Sequence, residues 1–205
     1  MKKILLADDH SIVRLGLRIL LVEAFKQVMI DEADTEASIL QLLKTQPYHL
    51  IILDVSIPGA DFMGLLKYIS TDLKTTSVLV FSMHTEELYG MHCLRMGAKG
   101  YVRKSSHEKE IIKAVEKILD GKRYISDAMA ELIVASDNQQ KKIDLLESLS
   151  FKELEIARFL CEGKALLEIS DTLKIQYSTT CKYKQQIFEK LGIDSIAAMS
   201  RLMNR

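Results

Sequence analysis

Four short apolar runs in the first half of the chain each end on a charged or hydroxyl-bearing residue, and this leaves few folds open. Ile4–Ala7 leads into Asp8 and Asp9, Leu50–Leu53 into Asp54, Val78–Phe81 into Ser82, and Tyr101–Val102 into Arg103 and Lys104. Read as parallel strands, the runs deliver Asp8, Asp9, Asp54, Ser82 and Lys104 to one carboxyl edge, where open α/β sheets build their sites. Three carboxylates in one pocket repel one another and form a cage of hard oxygen ligands. A lysine and a hydroxyl beside them suit an incoming phosphoryl group. The pattern predicts a magnesium-dependent phospho-acceptor site rather than a dehydrogenase. A phosphate-ester hydrolase using the same aspartates needs a cleft and a cap segment, and the connecting loops are too short for them.

Helical patterns alternate with these runs. Ile12, Leu15, Ile19, Val22 and Phe25 recur at helical spacing and are expected on the core side of a first helix. Val28–Asp31 reads as a strand and Asp34–Thr45 as a helix, with Pro47 closing the passage. Leu50–Leu53 is apolar throughout, as a strand buried on both faces should be. Pro58–Gly59 marks a turn. Leu65–Leu73, Glu86–Met96 and Glu108–Leu119 complete the helices, the last two stopped by Gly97 and Gly121. Five strand–helix units in this order predict a doubly wound, flavodoxin-like five-stranded parallel sheet.

The chain then changes character. Asp127–Ala135 reads as one more helix, and the stretch 136–142 is polar, without β-branched or aromatic residues, as linkers are. Beyond it no strand pattern remains. Ser150 with Glu153 forms a capping box that opens a helix to Cys161, ended by Gly163. Leu166–Leu173, Ser178–Leu191 and Ser195–Met203 follow, and about four residues separate the first two of these, the spacing of a helix-turn-helix. The division expected is 1–122 for the α/β domain, 123–146 for a helix and linker, and 147–205 for a small all-α domain.

Charge narrows what the tail can do. The chain has 28 Lys+Arg and 28 Asp+Glu, net zero. Up to Asp137 there are 17 basic and 19 acidic residues, net −2; after it 11 and 9, net +2. Nucleic-acid contact must therefore come from a local patch, not a global field. Cys93, Cys161 and Cys181 are odd in number and lack CxxC spacing, which fits reduced thiols in a cytoplasmic protein. No run approaches the roughly 20 apolar residues that cross a bilayer, so no membrane partner is expected. His10, His49, His84, His92 and His107 show no ligand spacing and are assigned no metal, though His84, two residues past Ser82, is placed to tune access to the pocket.

Residues 1–122 resemble the receiver domain of bacterial two-component response regulators, through Asp8-Asp9-His10, Leu53-Asp54-Val55-Ser56-Ile57-Pro58-Gly59, Phe81-Ser82-Met83 and Gly97-Ala98-Lys99-Gly100-Tyr101-Val102-Arg103-Lys104. The resemblance implies that Asp54 accepts a phosphoryl group from a phosphohistidine on a sensor histidine kinase. It also implies that Asp9, Asp54 and the main-chain carbonyl of Ser56 hold Mg²⁺, with Asp8 acting through water. Ser82 and Lys104 would meet the phosphoryl oxygens. Ser82 and Tyr101 would form a switch pair in which the ring turns inward on phosphorylation. Such a protein is not an enzyme, apart from its own phosphorylation and dephosphorylation.

Residues 149–203 resemble the LuxR-type helix-turn-helix of the NarL/FixJ subfamily, through Leu149–Ile156, Cys161-Glu162-Gly163, Glu168-Ile169 and Lys190-Leu191-Gly192-Ile193. The resemblance implies a promoter-binding homodimer that regulates transcription when phosphorylated, its third tail helix in the major groove of double-stranded DNA. Spacing puts Thr180, Tyr183, Ile187 and Leu191 toward the small core. By match to the family, Cys181, Lys182 and Gln185 sit at base-reading positions, and Thr179, Lys184 and Lys190 are phosphate or surface contacts. Gln176 stands where a capping Ser is usual, although Ser178 would cap a helix starting later. These departures keep open an alternative, a phospho-relay or interaction protein whose tail docks another protein.

Overall fold

The computed structural model describes residues 1–134, 145, 146 and 148–203. They fall into two compact units, Met1–Ile133 and Val134–Arg205. The stretch 136–142 read as a linker lies outside the described residues.

In the first unit five parallel strands, β1 (Lys2–Ala7), β2 (Val28–Ala33), β3 (Leu50–Asp54), β4 (Ser77–Ser82) and β5 (Gly100–Arg103), lie in the order β2-β1-β3-β4-β5. This is the doubly wound sheet expected from the alternation. The order reverses between β1 and β3, where Ala7 pairs with Leu53, so Asp8 and Asp54 emerge side by side at the switch point. Period-2 alternation splits the strand residues between two faces. Ile4, Leu6, Leu50, Ile52, Leu79, Phe81 and Val102 pack on one side with Leu17 and Leu21 of α1 (Ser11–Ala24) and Ile111, Ala114, Val115 and Ile118 of α5 (Glu108–Leu119). Leu5, Ile51, Leu53, Val78 and Val80, also buried, face the opposite way, the side of α2 (Glu36–Thr45), α3 (Phe62–Asp72) and α4 (Glu86–Arg95). Burying each such side chain stabilises by about 1.5–3 kcal/mol.

Local chemistry sets the helix starts. Thr35 and Ser38 form a reciprocal capping box, so α2 begins at Glu36 rather than Asp34. The Asp61 carboxylate accepts from Gly64 N at 3.0 Å, starting α3 three residues earlier than the apolar pattern suggests. Helix α1 departs more seriously. Ile12 is 78% exposed, and Leu15, Ile19 and Val22 are each more than half exposed, whereas Leu17 and Leu21 fill the core and Val13, Leu20 and Phe25 flank it. The helix is rotated from the expected face, with Leu17 and Leu21 buried, and in this position Arg14 Nε and Arg18 Nε reach Glu32 on β2, at 3.1 and 2.7 Å.

After α5 the chain stays on the first unit. Tyr124 is buried, and its N–H donates to Lys99 O at 2.8 Å. Ser126 Oγ donates to the buried Glu86 carboxylate at the start of α4 and accepts Met129 N at 3.2 Å, opening α6 (Asp127–Val134). Gly90 of α4 makes room for Met129, since a Cβ there would lie 2.9 Å from its Sδ. The second unit is helical among its described residues: α7 (Phe151–Cys161), α8 (Leu166–Leu173), α9 (Tyr177–Leu191) and α10 (Ile196–Met203).

Candidate functional site

The acidic pocket forms where the strand ends predict it. Asp8 and Asp54 are both 2% exposed, Asp9 is half-buried, and Ser82 is fully buried at the end of β4. Lys104 follows β5, its backbone N–H donating to Ser82 O at 2.8 Å. Its Nζ stands 2.6 Å from Asp8 Oδ2 and 2.9 Å from Asp54 Oδ2. One ammonium is thus shared by two buried carboxylates, with a third beside them. Burial pushes the Asp54 carboxyl above the ordinary carboxylate range, against the opposing pull of Lys104. Burial alone would lower the Lys104 ammonium, but Asp8 and Asp54 carry it above its usual range.

The pocket has acceptors to spare. Asp54 Oδ1 is buried without a hydrogen-bond donor, an arrangement that costs free energy unless a cation or donor arrives. Oxygens from Asp8, Asp9 and Asp54 and a nitrogen of His10 lie within 4.8 Å of one another. The residues present therefore fit a divalent cation. Ser56 is exposed in the turn leaving β3, and its main-chain N–H bears on the Asp54 carboxylate.

His10, assigned no metal from the sequence, stands beside the acidic cluster. Its Nδ1 lies 2.8 Å from Asp9 Oδ1 and 3.3 Å from Asp8 Oδ1. Ligand spacing within the histidines could not reveal it, because the grouping is with the adjacent aspartates. The Asp8-Asp9-His10 tripeptide, at the end of a strand, was the available signal.

Tyr101 is fully buried and its hydroxyl donates to His84 O at 3.0 Å. The inward position expected to follow phosphorylation is already taken, with the ring packed by Gly90 of α4. Burial drives its phenol far above the ordinary range. Ser82 Oγ accepts the His84 N–H at 3.2 Å, and the His84 ring stacks on Tyr89 with centroids 4.4 Å apart. His84 thus joins Ser82 and Tyr101 through its backbone.

In the tail, Thr180, Ile187 and Leu191 are buried as the spacing predicts, and Tyr183 is half-buried. Lys174, in the left-handed conformation at φ 51°, ends α8, and Gln176 stands at the cap position of α9 without a side-chain bond. The helix starts at Tyr177, so Ser178 lies inside it and does not cap it. Lys182 and Gln185 are exposed, while Thr179, Cys181 and Lys184 are half-buried. Cys181, Lys184 and Gln185 line an open groove of about 790 Å³ with Phe188 and Ala198.

Lys190 is exposed, as a surface contact should be, and it also makes an ion pair within the tail. Its Nζ is 2.7 Å from Oε2 of the buried Glu153, which also accepts the Ser150 N–H at 2.6 Å. Burial would raise Glu153, yet Lys190 and the Ser150 donors hold it below the usual range. Gln185 Nε2 donates to Glu189 at 2.9 Å, and Lys184 Nζ sits 5.5 Å above the Phe188 ring. Lys182 is the candidate reading residue that remains exposed without such a contact.

Comparison with known proteins divides the chain in the same sense. Residues 4–116 match the response regulator receiver domain, and residues 147–203 match the bacterial regulatory proteins of the luxR family. The response regulator UvrY of Escherichia coli strain K12 is 27% identical over 206 residues, spanning 100% of this chain and 94% of that protein. The fimbriae Z protein of Salmonella typhimurium is 30% identical over 196 residues, 96% of this chain and 93% of that one. Among solved structures, RcsB from Salmonella enterica serovar Typhimurium, bound to promoter rprA with the phosphomimetic BeF3−, aligns with TM-score 0.67 at 26% identity. That alignment covers 98% of this chain and 97% of that one.

Proposed function

We propose that this chain, which belongs to the response regulators with a receiver domain and a luxR-family tail, is a phosphorylation-dependent DNA-binding transcription regulator. The receiver takes its phosphoryl group from a sensor histidine kinase, and the tail binds promoter DNA as a homodimer. We assign the receiver to 1–122, the connecting segment to 123–146 and the DNA-binding domain to 147–205. The observation that carries the reading is the buried, donor-free Asp54 Oδ1 beside the shared Lys104, in a chain that ends in a helix-turn-helix.

The chemistry follows from the pocket. Asp54 Oδ1 keeps a lone pair free for phosphorus, so an O–P bond forms as the N–P bond of the phosphohistidine breaks and the imidazole leaves. Lys104 meets a phosphoryl oxygen as a compact point charge, and the Ser82 hydroxyl, which accepts from His84 N, has its own proton to donate to another. Asp8, Asp9, Asp54 and the Ser56 carbonyl are the residues to hold Mg²⁺. When bound, the ion supplies neutralisation of the negative charge that acceptor and phosphoryl group bring together. The chain acts as an acceptor rather than a turnover enzyme. Movement of Ser82 passes through the His84 backbone to the Tyr101 hydroxyl and so to the face of α4 and β5, a two-state element biased by a local charge.

In the tail, Lys182 and Gln185 offer base contacts, Cys181 an apolar one, and Thr179 and Lys184 phosphate contacts. Lys190 adds positive charge from its structural pair. No helix among the described residues is long and apolar enough to cross a membrane, and we place the protein in the cytoplasm with its DNA. The test is recovery of genomic fragments on the purified protein with and without beryllofluoride and Mg²⁺. We expect enrichment of a few two-fold-symmetric sequences with the mimic alone.

A second reading, a tail that docks a protein, draws on Gln185 and Lys190 being engaged within the tail. Lys182→Ala with Gln185→Ala separates the two. Loss of DNA retention supports the regulator, and retained partner binding without any DNA selectivity supports docking.

A further inference from the structure

Position 10 caps helix α1, where a short Ser, Thr, Asp or Asn side chain ordinarily accepts an amide of the first turn. Here the side chain makes no cap bond. The His10 carbonyl alone takes the N–H groups of Val13 and Arg14, at 3.1 and 3.2 Å. The imidazole is thus left free of the helix. Its backbone is fixed to the pocket, because His10 N donates to Asp8 Oδ1 at 2.9 Å. Its Nδ1 is turned to Asp9 and Asp8, at 2.8 and 3.3 Å, within 4.8 Å of the Asp54 oxygen that completes the cluster. The side chain is 64% exposed, so it lies on the solvent side of the cluster, while the donor-free Asp54 Oδ1 is buried.

We propose that His10 is a nitrogen ligand at the mouth of the acidic site and gives that site a preference for the borderline divalent ion Co²⁺, and more weakly for the harder Mn²⁺, over Mg²⁺. The inference rests on the reading of Asp8, Asp9 and Asp54 as the divalent-ion site. Carboxylates alone form the hard cage that Mg²⁺ accepts while keeping its waters. Mg²⁺ gains little from an imidazole. For first-row transition ions the same nitrogen is a favoured donor, and its effect rises from Mn²⁺ to Co²⁺. The histidine therefore works as a specificity-determining residue, adding affinity for one class of ion.

The test is titration of the full chain with MgCl₂, MnCl₂ and CoCl₂ by calorimetry, on the wild type, His10→Asn and Asp9→Ala. Asparagine is a good N-cap, so His10→Asn retains α1. The expected result is a loss of about tenfold in Co²⁺ affinity and a smaller loss for Mn²⁺ in His10→Asn, with Mg²⁺ held within about twofold. Electron spin-echo spectroscopy of the Mn²⁺-loaded wild type should show a directly bound nitrogen that disappears in the variant. Equal changes for Co²⁺ and Mg²⁺, or no change with no bound-nitrogen signal, would overturn the proposal. If instead Asp9→Ala leaves all three ions bound as tightly as before, the cations bind elsewhere, and the underlying reading of the acidic site fails.

Discussion

The receiver and the tail each place a lysine against buried carboxylate, and the two arrangements end in opposite states. In the receiver, Lys104 serves Asp8 and Asp54 together, with Asp9 beside them and the donor-free Asp54 Oδ1 left over. Asp54 is pushed up. In the tail, Lys190 serves Glu153 alone, assisted by Ser150, and Glu153 is pulled down. The first site has too few donors for its acceptors, and the second has enough. A deficit of donors marks a place waiting for a ligand, and a satisfied carboxylate marks a joint.

The contrast is broken most directly by removing each acid. Asp54→Asn should abolish phosphoryl uptake from a small-molecule donor, scored on a phosphate-affinity gel. In urea unfolding the same variant should leave the receiver as stable as before or more so, since it relieves a crowded buried charge. A clear loss of receiver stability would place Asp54 with the joints. Glu153→Ala should lower tail stability by about 1–2 kcal/mol, through the lost capping box and the stranded Lys190. An unchanged midpoint would remove the structural role of that pair.

Acid sharpens the comparison. Glu153 titrates below its ordinary value of 4.5 in the folded state. Its contribution is therefore present above that value and is lost as pH falls through the depressed folded pKa. Asp54 titrates above 3.8 when folded, so the native state takes up that proton first. Stability from this group increases as pH falls through its raised folded pKa toward 3.8. Hydrogen exchange resolved by segment should show tail protection at α7 and α9 declining below about pH 4.5 while the Asp54 pocket resists. The smallest effect concerns α9. Gln176→Ser supplies the missing cap, and the tail should gain about 0.5–1 kcal/mol in urea unfolding.

The pocket was legible because strand ends are strong punctuation. An apolar run followed by Asp, Ser or Lys fixes both an element and the edge where its polar residue emerges. Helix α1 was not legible in the same way. It carries Ile12, Val13, Leu15, Leu17, Ile19, Leu20, Leu21 and Val22, apolar on most sides, so periodicity allows more than one stripe and tertiary packing, with Leu17 and Leu21 in the core, decides between them. The Lys190–Glu153 pair is not legible for a related reason. The two lie 37 residues apart, and a lysine near the end of a helix carries no local sign of a distant buried acid. The place of His10 beside the pocket is not legible from spacing among histidines, because its neighbours are the aspartates before it.

The Glu86–Ser126 bond has a mechanical meaning. Ser126 opens α6, the helix from which the chain leaves the receiver, yet its hydroxyl is pinned to the first residue of α4. A small translation of α4 is thus delivered to the base of an eight-residue rod, roughly 12 Å long at the helical rise. A base displaced or tilted through such an arm moves its far end further than the pin itself. Met129, packed into the space left by Gly90, fastens the same helix to α4 at a second point, so the base of the rod follows α4 as one piece.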